Sequence, residues 1–275
     1  MKKQIHESTF YYFMLLALML IAQPYAWASE KSCFSGVKYV TPADEQANRA
    51  LYIIIDETVP LSDAMKKKIG MLLSDWGQPG DLVKIARFSA SYRGLYPELV
   101  FSQKLDPVPD DSFMFNLHYR DKKKVAECMQ AQQDKFKQEF PKALQAALKN
   151  IDPKIPKTEL LGSLKLLSKQ LVKPDMAKEK TVFLVSDGLE NRDGLSFYSN
   201  KLVKNLNPRK EVLMLRRKGM MGYWKGANIY MYGLGLMPDK KRYSKPEHIL
   251  KLKSFWERYF VESGAKVKEI GTPEL

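Results

Sequence analysis

Leu51-Tyr52-Ile53-Ile54-Ile55-Asp56 decides how the chain is read. Five apolar residues in a row, three of them β-branched, fit a strand buried on both faces, as in a parallel sheet covered by helices. The run stops at a carboxylate. Outward from it, Leu61–Trp76 places Leu61, Met65, Ile69, Leu72 and Leu73 at helical spacing, and Gly77, Pro79 and Gly80 end that helix. Leu82–Phe88 alternates as a second strand, and Leu99–Leu105 is a shorter third. A polar helix is expected from Lys122, with Val125, Met129, Phe136 and Phe140 on one stripe. Pro141 is read as the first turn of a separate helix ending at Lys149. Thr158–Val172 is a leucine-faced helix, and Thr181–Val185 is a strand closing on Ser186-Asp187-Gly188. Asn228–Leu234, a helix over Ile249–Ser263 and a last strand near Lys266–Ile270 complete the pattern. The fold class is therefore α/β, a mainly parallel central sheet with helices on both faces.

The composition sets the class of partner. In 275 residues, Lys and Arg number 45 against 31 Asp and Glu, a formal charge of +14, so the surroundings or partners are expected to be anionic. Apolar content of 45% supports a real core. Two Cys exclude a zinc cluster of four cysteines, and three His disfavour a three-histidine site. Lys2 and Lys3, the apolar run Phe10–Ala22 and Ala26-Trp27-Ala28 form a signal peptide over residues 1–28, with cleavage before Ser29. The thirteen-residue run is short for a bilayer about 30 Å thick. The protein is thus expected in the periplasm or secreted, with no nucleic acid as partner. A lone pair of cysteines in an oxidising compartment is expected to join as Cys33–Cys128. That bond would tether an N-terminal arm over 29–49 to a helical insertion around 122–140.

In a doubly wound sheet, ligands bind beyond the carboxyl ends of the strands. Asp56 and Asp187 both stand there, with Thr58 two residues after Asp56 and Thr158 opening the leucine-faced helix. Carboxylate and hydroxyl oxygens suit a hard cation such as Mg²⁺. A strand-end Asp also caps helices, the structural alternative.

Over Ala50–Ile270 the chain resembles a von Willebrand factor type A domain. The family's metal-ion-dependent adhesion site has Asp-x-Ser-x-Ser, a Thr on a later loop, and Asp-Gly after the fourth strand. Here Asp56-Glu57-Thr58-Val59-Pro60 keeps the first hydroxyl and places Pro60 at the second. Thr158 stands where the family has its Thr, and Ser186-Asp187-Gly188 matches the last element. Gly80-Asp81-Leu82-Val83, Phe88-Ser89 and Tyr232-Gly233-Leu234-Gly235 are similar too. The resemblance implies a three-layer sandwich and a site of Asp56, Thr58, Thr158 and Asp187 holding Mg²⁺ or Mn²⁺. It also implies a protein partner offering an acidic side chain. Pro60 in place of the second hydroxyl ligand leaves two readings open: an occupied site with water in that position, or a vestigial one in a metal-independent structural subunit of an envelope or secretion-type assembly.

The Asp-x-Thr order also resembles haloacid-dehalogenase phosphatases, with Asp56 as nucleophile, but Thr58 cannot act as their general acid. No G-x-S-x-G, H-E-x-x-H or P-loop is present. The expectation is a binding module, not an enzyme. A basic insertion around 191–227 interleaves charge with Met220, Met221 and Tyr223. It offers Arg216, Arg217, Lys218, Trp224 and Lys225 as a second surface, for an acidic protein, an anionic membrane surface or a cell-wall polymer.

Overall fold

The computed structural model describes residues 31–35, 37, 46–89, 97–149, 159–192, 195–199, 202–236 and 244–271. The expected signal peptide and Thr158 lie outside them.

Strand β1 (Arg49–Asp56) is buried along almost its whole length, as its apolar run demands. It pairs in parallel with β2 (Asp81–Phe88) and with β4 (Glu179–Val185). Beyond β4 lie β9 (Ala227–Tyr232) and β10 (Lys266–Gly271), both parallel. Beyond β2 lies β3 (Glu98–Lys104), the antiparallel edge. The six-stranded order is β10-β9-β4-β1-β2-β3. The chain therefore winds outward from β1 in one direction and then from β4 in the other. The switch point falls between β1 and β4, which fixes the crevice where a ligand is expected. Two small hairpins, β5 (Asn191–Arg192) with β6 (Leu195–Ser196) and β7 (Tyr198–Ser199) with β8 (Leu202–Val203), follow β4.

Alternate residues of β1 feed two cores, the period-two rule of a strand. Leu51, Ile53 and Ile55 meet Ile69 of α1 (Asp63–Leu72) and Phe136, Phe140 and Leu144 of α3 (Tyr119–Lys149). The short α2 (Asp111–Asn116) precedes α3. Tyr52 and Ile54 face α4 (Leu160–Leu167), α5 (Pro208–Arg217) and α6 (Pro246–Glu262), where Leu164, Val212, Phe255 and Trp256 are fully buried. Helices cover both faces, so the expected α/β three-layer architecture stands.

Helix boundaries differ from the sequence reading: the helices expected from Lys122 and over Ile249–Ser263 begin three residues earlier, and α2 and α5 were not expected. α1 is shorter than Leu61–Trp76, because Ser62 caps its start through a bond from the Met65 amide, 3.3 Å. The leucine-faced helix begins at Leu160 and turns into a π-helical turn over Ser168–Val172. Pro141, expected to open a new helix, sits inside the continuous α3. A proline there removes one helical bond and crowds the preceding carbonyl. Phe136 and Phe140 before it and Leu144 and Leu148 after it are all buried on the sheet, so both halves are held in line. Pro141 itself is exposed, which leaves the freed carbonyl open to water. The helix is also part of the connection between β3 and β4, which α4 completes, and part of the core.

The expected Cys33–Cys128 disulfide is present and joins the N-terminal arm to α3.

Candidate functional site

Asp56 ends β1, and Asp187 follows β4 by two residues, so both stand at the crest of the sheet beside the switch point. Both are buried, at 0% and 4% exposure. Asp56 is wrapped by hydroxyls. The Thr58 Oγ1 donates to its Oδ1 at 2.6 Å, and the Thr58 amide donates to the same oxygen at 3.0 Å. The Ser186 hydroxyl donates to Oδ2 at 2.8 Å and accepts from the Gly188 amide at 3.1 Å. Asp187 accepts the Leu189 amide at 2.9 Å.

The loop carrying Asp187 is held from below. Its carbonyl accepts the Gly235 amide at 2.8 Å, and the Gly188 carbonyl accepts the Trp256 indole N–H at 2.9 Å. Gly188 has φ of 73°, and an added Cβ would lie 2.6 Å from the Trp256 ring nitrogen. Only glycine fits that turn. The pairing of Asp187 with Gly188 in the sequence thus has a local backbone cause.

Electrostatically the crevice is unfinished. Burial pushes the Asp187 carboxyl well above the usual range, and the charge of Asp56 pushes it further, against one amide bond. Burial also raises Asp56, while the Thr58 and Ser186 hydrogen bonds hold it down. Tyr198 is raised by burial first, then by Asp187 and Asp56, so it stays a neutral phenol beside both acids. Among the described residues, no positively charged side chain answers either aspartate.

Two further polar groups line the crest. Glu190, fully buried, accepts the Leu161 amide at 2.8 Å in the first turn of α4. The Ser89 hydroxyl, buried just past β2, finds no hydrogen-bond partner among the described residues. Sequence reasoning did not assign Ser186, Glu190 or Tyr198 to the site. Ser186 could have been found from its place beside Asp187, at the end of a strand adjacent to β1. Glu190 and Tyr198 reach the site through the loop and hairpin after β4, for which no spacing rule existed.

Of the four residues expected to hold metal, Asp56 and Thr58 are in direct contact, and the charge of Asp56 acts on Asp187, just past the neighbouring strand. Thr158 lies outside the described residues, one position before Glu159, which occupies the N-cap of α4. Glu57 turns away, pairing with Arg87 at 3.2 Å. Asp56, Thr58, Ser186 and Asp187 supply a small all-oxygen donor set and uncompensated buried negative charge. That set fits a hard divalent cation such as Mg²⁺ or Mn²⁺. Asp, Glu, His and Cys alone form no group of three suited to a metal among the described residues, so the fit depends on the hydroxyls.

The second expected surface is corrected in one member. Trp224 is fully buried, edge-on to Phe260 at 5.8 Å, and Met220 and Met221 pack on the same core. Interleaving aromatics with lysines marked a helix-to-strand connection folded onto the core, because the apolar members alone turn inward. Arg216, Arg217, Lys218 and Lys225 are exposed. Arg216 pairs with Glu262, and Arg216 and Arg217 occupy the last turn of α5, where cations suit the helix dipole. Lys225 precedes the amino end of β9, so this cluster lies at the edge of the sheet opposite Asp56 and Asp187.

No protein-family model matches the chain, and no curated protein matches it. Among solved structures, proximal thread matrix protein 1 from the mussel byssus, with a zinc-occupied MIDAS motif, is similar at 13% identity and TM-score 0.34. The match covers 82% of this chain and 42% of that one, so less than half of the mussel protein is spanned. The pilus adhesin SpaC from Lactobacillus rhamnosus GG is similar at 12% identity and TM-score 0.38, over 82% and 29% of the two chains. BatB from Bacteroides thetaiotaomicron is similar at 12% identity and TM-score 0.31, over 81% and 90%. No helix among the described residues is long and apolar enough to cross a membrane.

Proposed function

We propose that the chain is an exported protein-binding module of the von Willebrand factor A type that works in adhesion or assembly through the crest crevice. The reading rests on one observation above the others. Among the described residues, two buried carboxylates at adjacent central strands have hydroxyls, amides and each other for company, and no cation. Burying such charge is costly unless a cation answers it. When bound, Mg²⁺ or Mn²⁺ would supply that charge and a coordination position for an acidic side chain of the partner. Asp56, Thr58, Ser186 and Asp187 are the residues to hold it. Thr58 and Ser186 orient Asp56, and Gly188 fixes the loop that carries Asp187.

Export agrees with the disulfide, which persists in oxidising compartments. The resulting location is the periplasm or the exterior. Thr58, two residues after Asp56 where a phosphatase would carry its general acid, is a hydroxyl already donating to Asp56, so a phosphatase is not proposed.

A second reading has its own support. Both hydroxyls already bond Asp56, which would leave a closed, metal-free network in a structural subunit. Affinity capture from envelope extracts separates the two, using wild type and Asp187→Ala with and without chelator. A partner lost with chelator and lost on Asp187→Ala supports the metal-dependent module. A partner retained in both conditions selects the structural subunit.

A further inference from the structure

On the face opposite α4, α5 and α6, helices α1 and α3 leave a groove of about 700 Å³ between them. Its floor is apolar and aromatic, formed by Trp76, Phe136, Phe140 and Leu144. Lys66, Lys67, Lys137 and Lys149 line its rim, against the single acid Asp63. Asp63 already pairs with Lys66 at 3.4 Å. Lys67, Lys137 and Lys149 are exposed and have no ion pair among the described residues.

Both walls carry a residue that a helix interior disfavours. Gly70 sits within α1, where glycine costs ~1 kcal/mol relative to alanine. Pro141 sits within α3, where proline costs ~3 kcal/mol. Both line this groove. A Cβ built on Gly70 meets nothing within 4 Å, so no packing demand of the fold excludes a side chain there. What the glycine does is keep the wall of the groove low.

We infer that this groove is a docking site for an acidic amphipathic helix of a partner protein. A helix lying between α1 and α3 completes the helical layer on this face, packed at the usual 8–10 Å from its neighbours. Residues 136–149 of α3 run about 20 Å along the groove, room for roughly four turns. Apolar residues at i, i+3, i+4 and i+7 would sit on the aromatic floor, and flanking Asp or Glu would meet the three unpaired lysines. None of the crest residues lines the groove, so the inference stands apart from the metal-dependent reading.

The test is selection of random 16-residue peptides displayed on phage against the full chain, followed by binding measurements on the selected peptides. The expected binders are rich in Asp and Glu, with apolar residues at helical spacing. Gly70→Leu should weaken them at least tenfold while circular dichroism stays unchanged. The exposed double variant Lys67→Glu/Lys137→Glu should weaken them similarly and recover binding when the acidic peptide positions become Lys. Chelator and Asp187→Ala should leave this binding untouched, which separates it from any failure at the crest. Failure to select binders, binders without acidic bias, or binders indifferent to Gly70→Leu would overturn the inference. Sedimentation with phosphatidylglycerol vesicles that is lost on Gly70→Leu would assign the groove to a lipid surface instead.

Discussion

The sheet holds buried acids at both of its ends, and they are treated in opposite ways. At the amino end, Asp81 opens β2 at 1% exposure. Arg49 grips it with two bonds of 2.9 and 2.7 Å, and the Gly77 and Gln78 amides donate at 3.1 and 3.0 Å. That hydrogen bond is the largest cause raising the Arg49 pKa, against burial. Nearby, Asp106 accepts the Cys33 amide at 2.6 Å and Gln132 at 2.9 Å, beside the disulfide. At the carboxyl end, Asp56 receives the Thr58 and Ser186 hydroxyls, while Asp187 receives one backbone amide and the charge of Asp56. An acid whose charge the fold answers belongs to the structure. An acid in the crevice at the switch point whose charge no cation among the described residues answers is the one the proposed metal would serve.

Variants at the two ends should therefore separate in sign as well as size. Asp81→Ala leaves a guanidinium and two amides without their partner, and should cost ~3–5 kcal/mol in chemical denaturation whether or not metal is present. Replacing Cys33 and Cys128 by Ser opens a tether with a sequence separation of 95 residues and should cost ~2–5 kcal/mol. A loss much below that range at the amino end would erase the contrast.

The crest variants should act the other way. Asp187 has a raised carboxyl pKa, so in chelator the folded state holds more protons than the unfolded state above the ordinary carboxylate range. Stability from this group is then greatest at acid pH and falls as pH rises through the folded pKa. Asp187→Asn should raise the melting temperature of the metal-free protein at neutral pH and flatten that fall. A lowered melting temperature would place Asp187 with Asp81 among the structural acids. Pro60→Ser should have the smallest effect on the fold, because Pro60 is only half-buried, while enlarging any stabilisation by Mg²⁺.

How much of this was legible in the sequence depended on whether a signal was local. β1 was readable because five apolar residues ending in Asp admit few other structures. The two aspartates were readable because a strand end in a parallel sheet is a fixed place. Thr58 followed from its offset to Asp56. Tyr198 and Glu190 were not, since their approach depends on how the residues after β4 fold back over the crest. Trp224 was misread because composition cannot tell an aromatic that packs inward from one that faces a partner. Pro141 was misread for the converse reason, as long-range packing of Phe136, Phe140, Leu144 and Leu148 overrode a local backbone preference. The α1–α3 groove left no mark in the sequence that could be recognised before the helices were placed side by side.

The central claim is that Asp56 and Asp187 form an unfinished cation site. Thermal unfolding of wild type and Asp187→Ala, in chelator and in rising Mg²⁺ or Mn²⁺, tests it most directly. A cation binding only the folded state should stabilise wild type by about 2.7 kcal/mol at a hundredfold excess over its Kd, and Asp187→Ala should stay folded and show no shift. An unchanged wild-type melting temperature at millimolar Mg²⁺ and Mn²⁺, or an equal shift in both proteins, would contradict it.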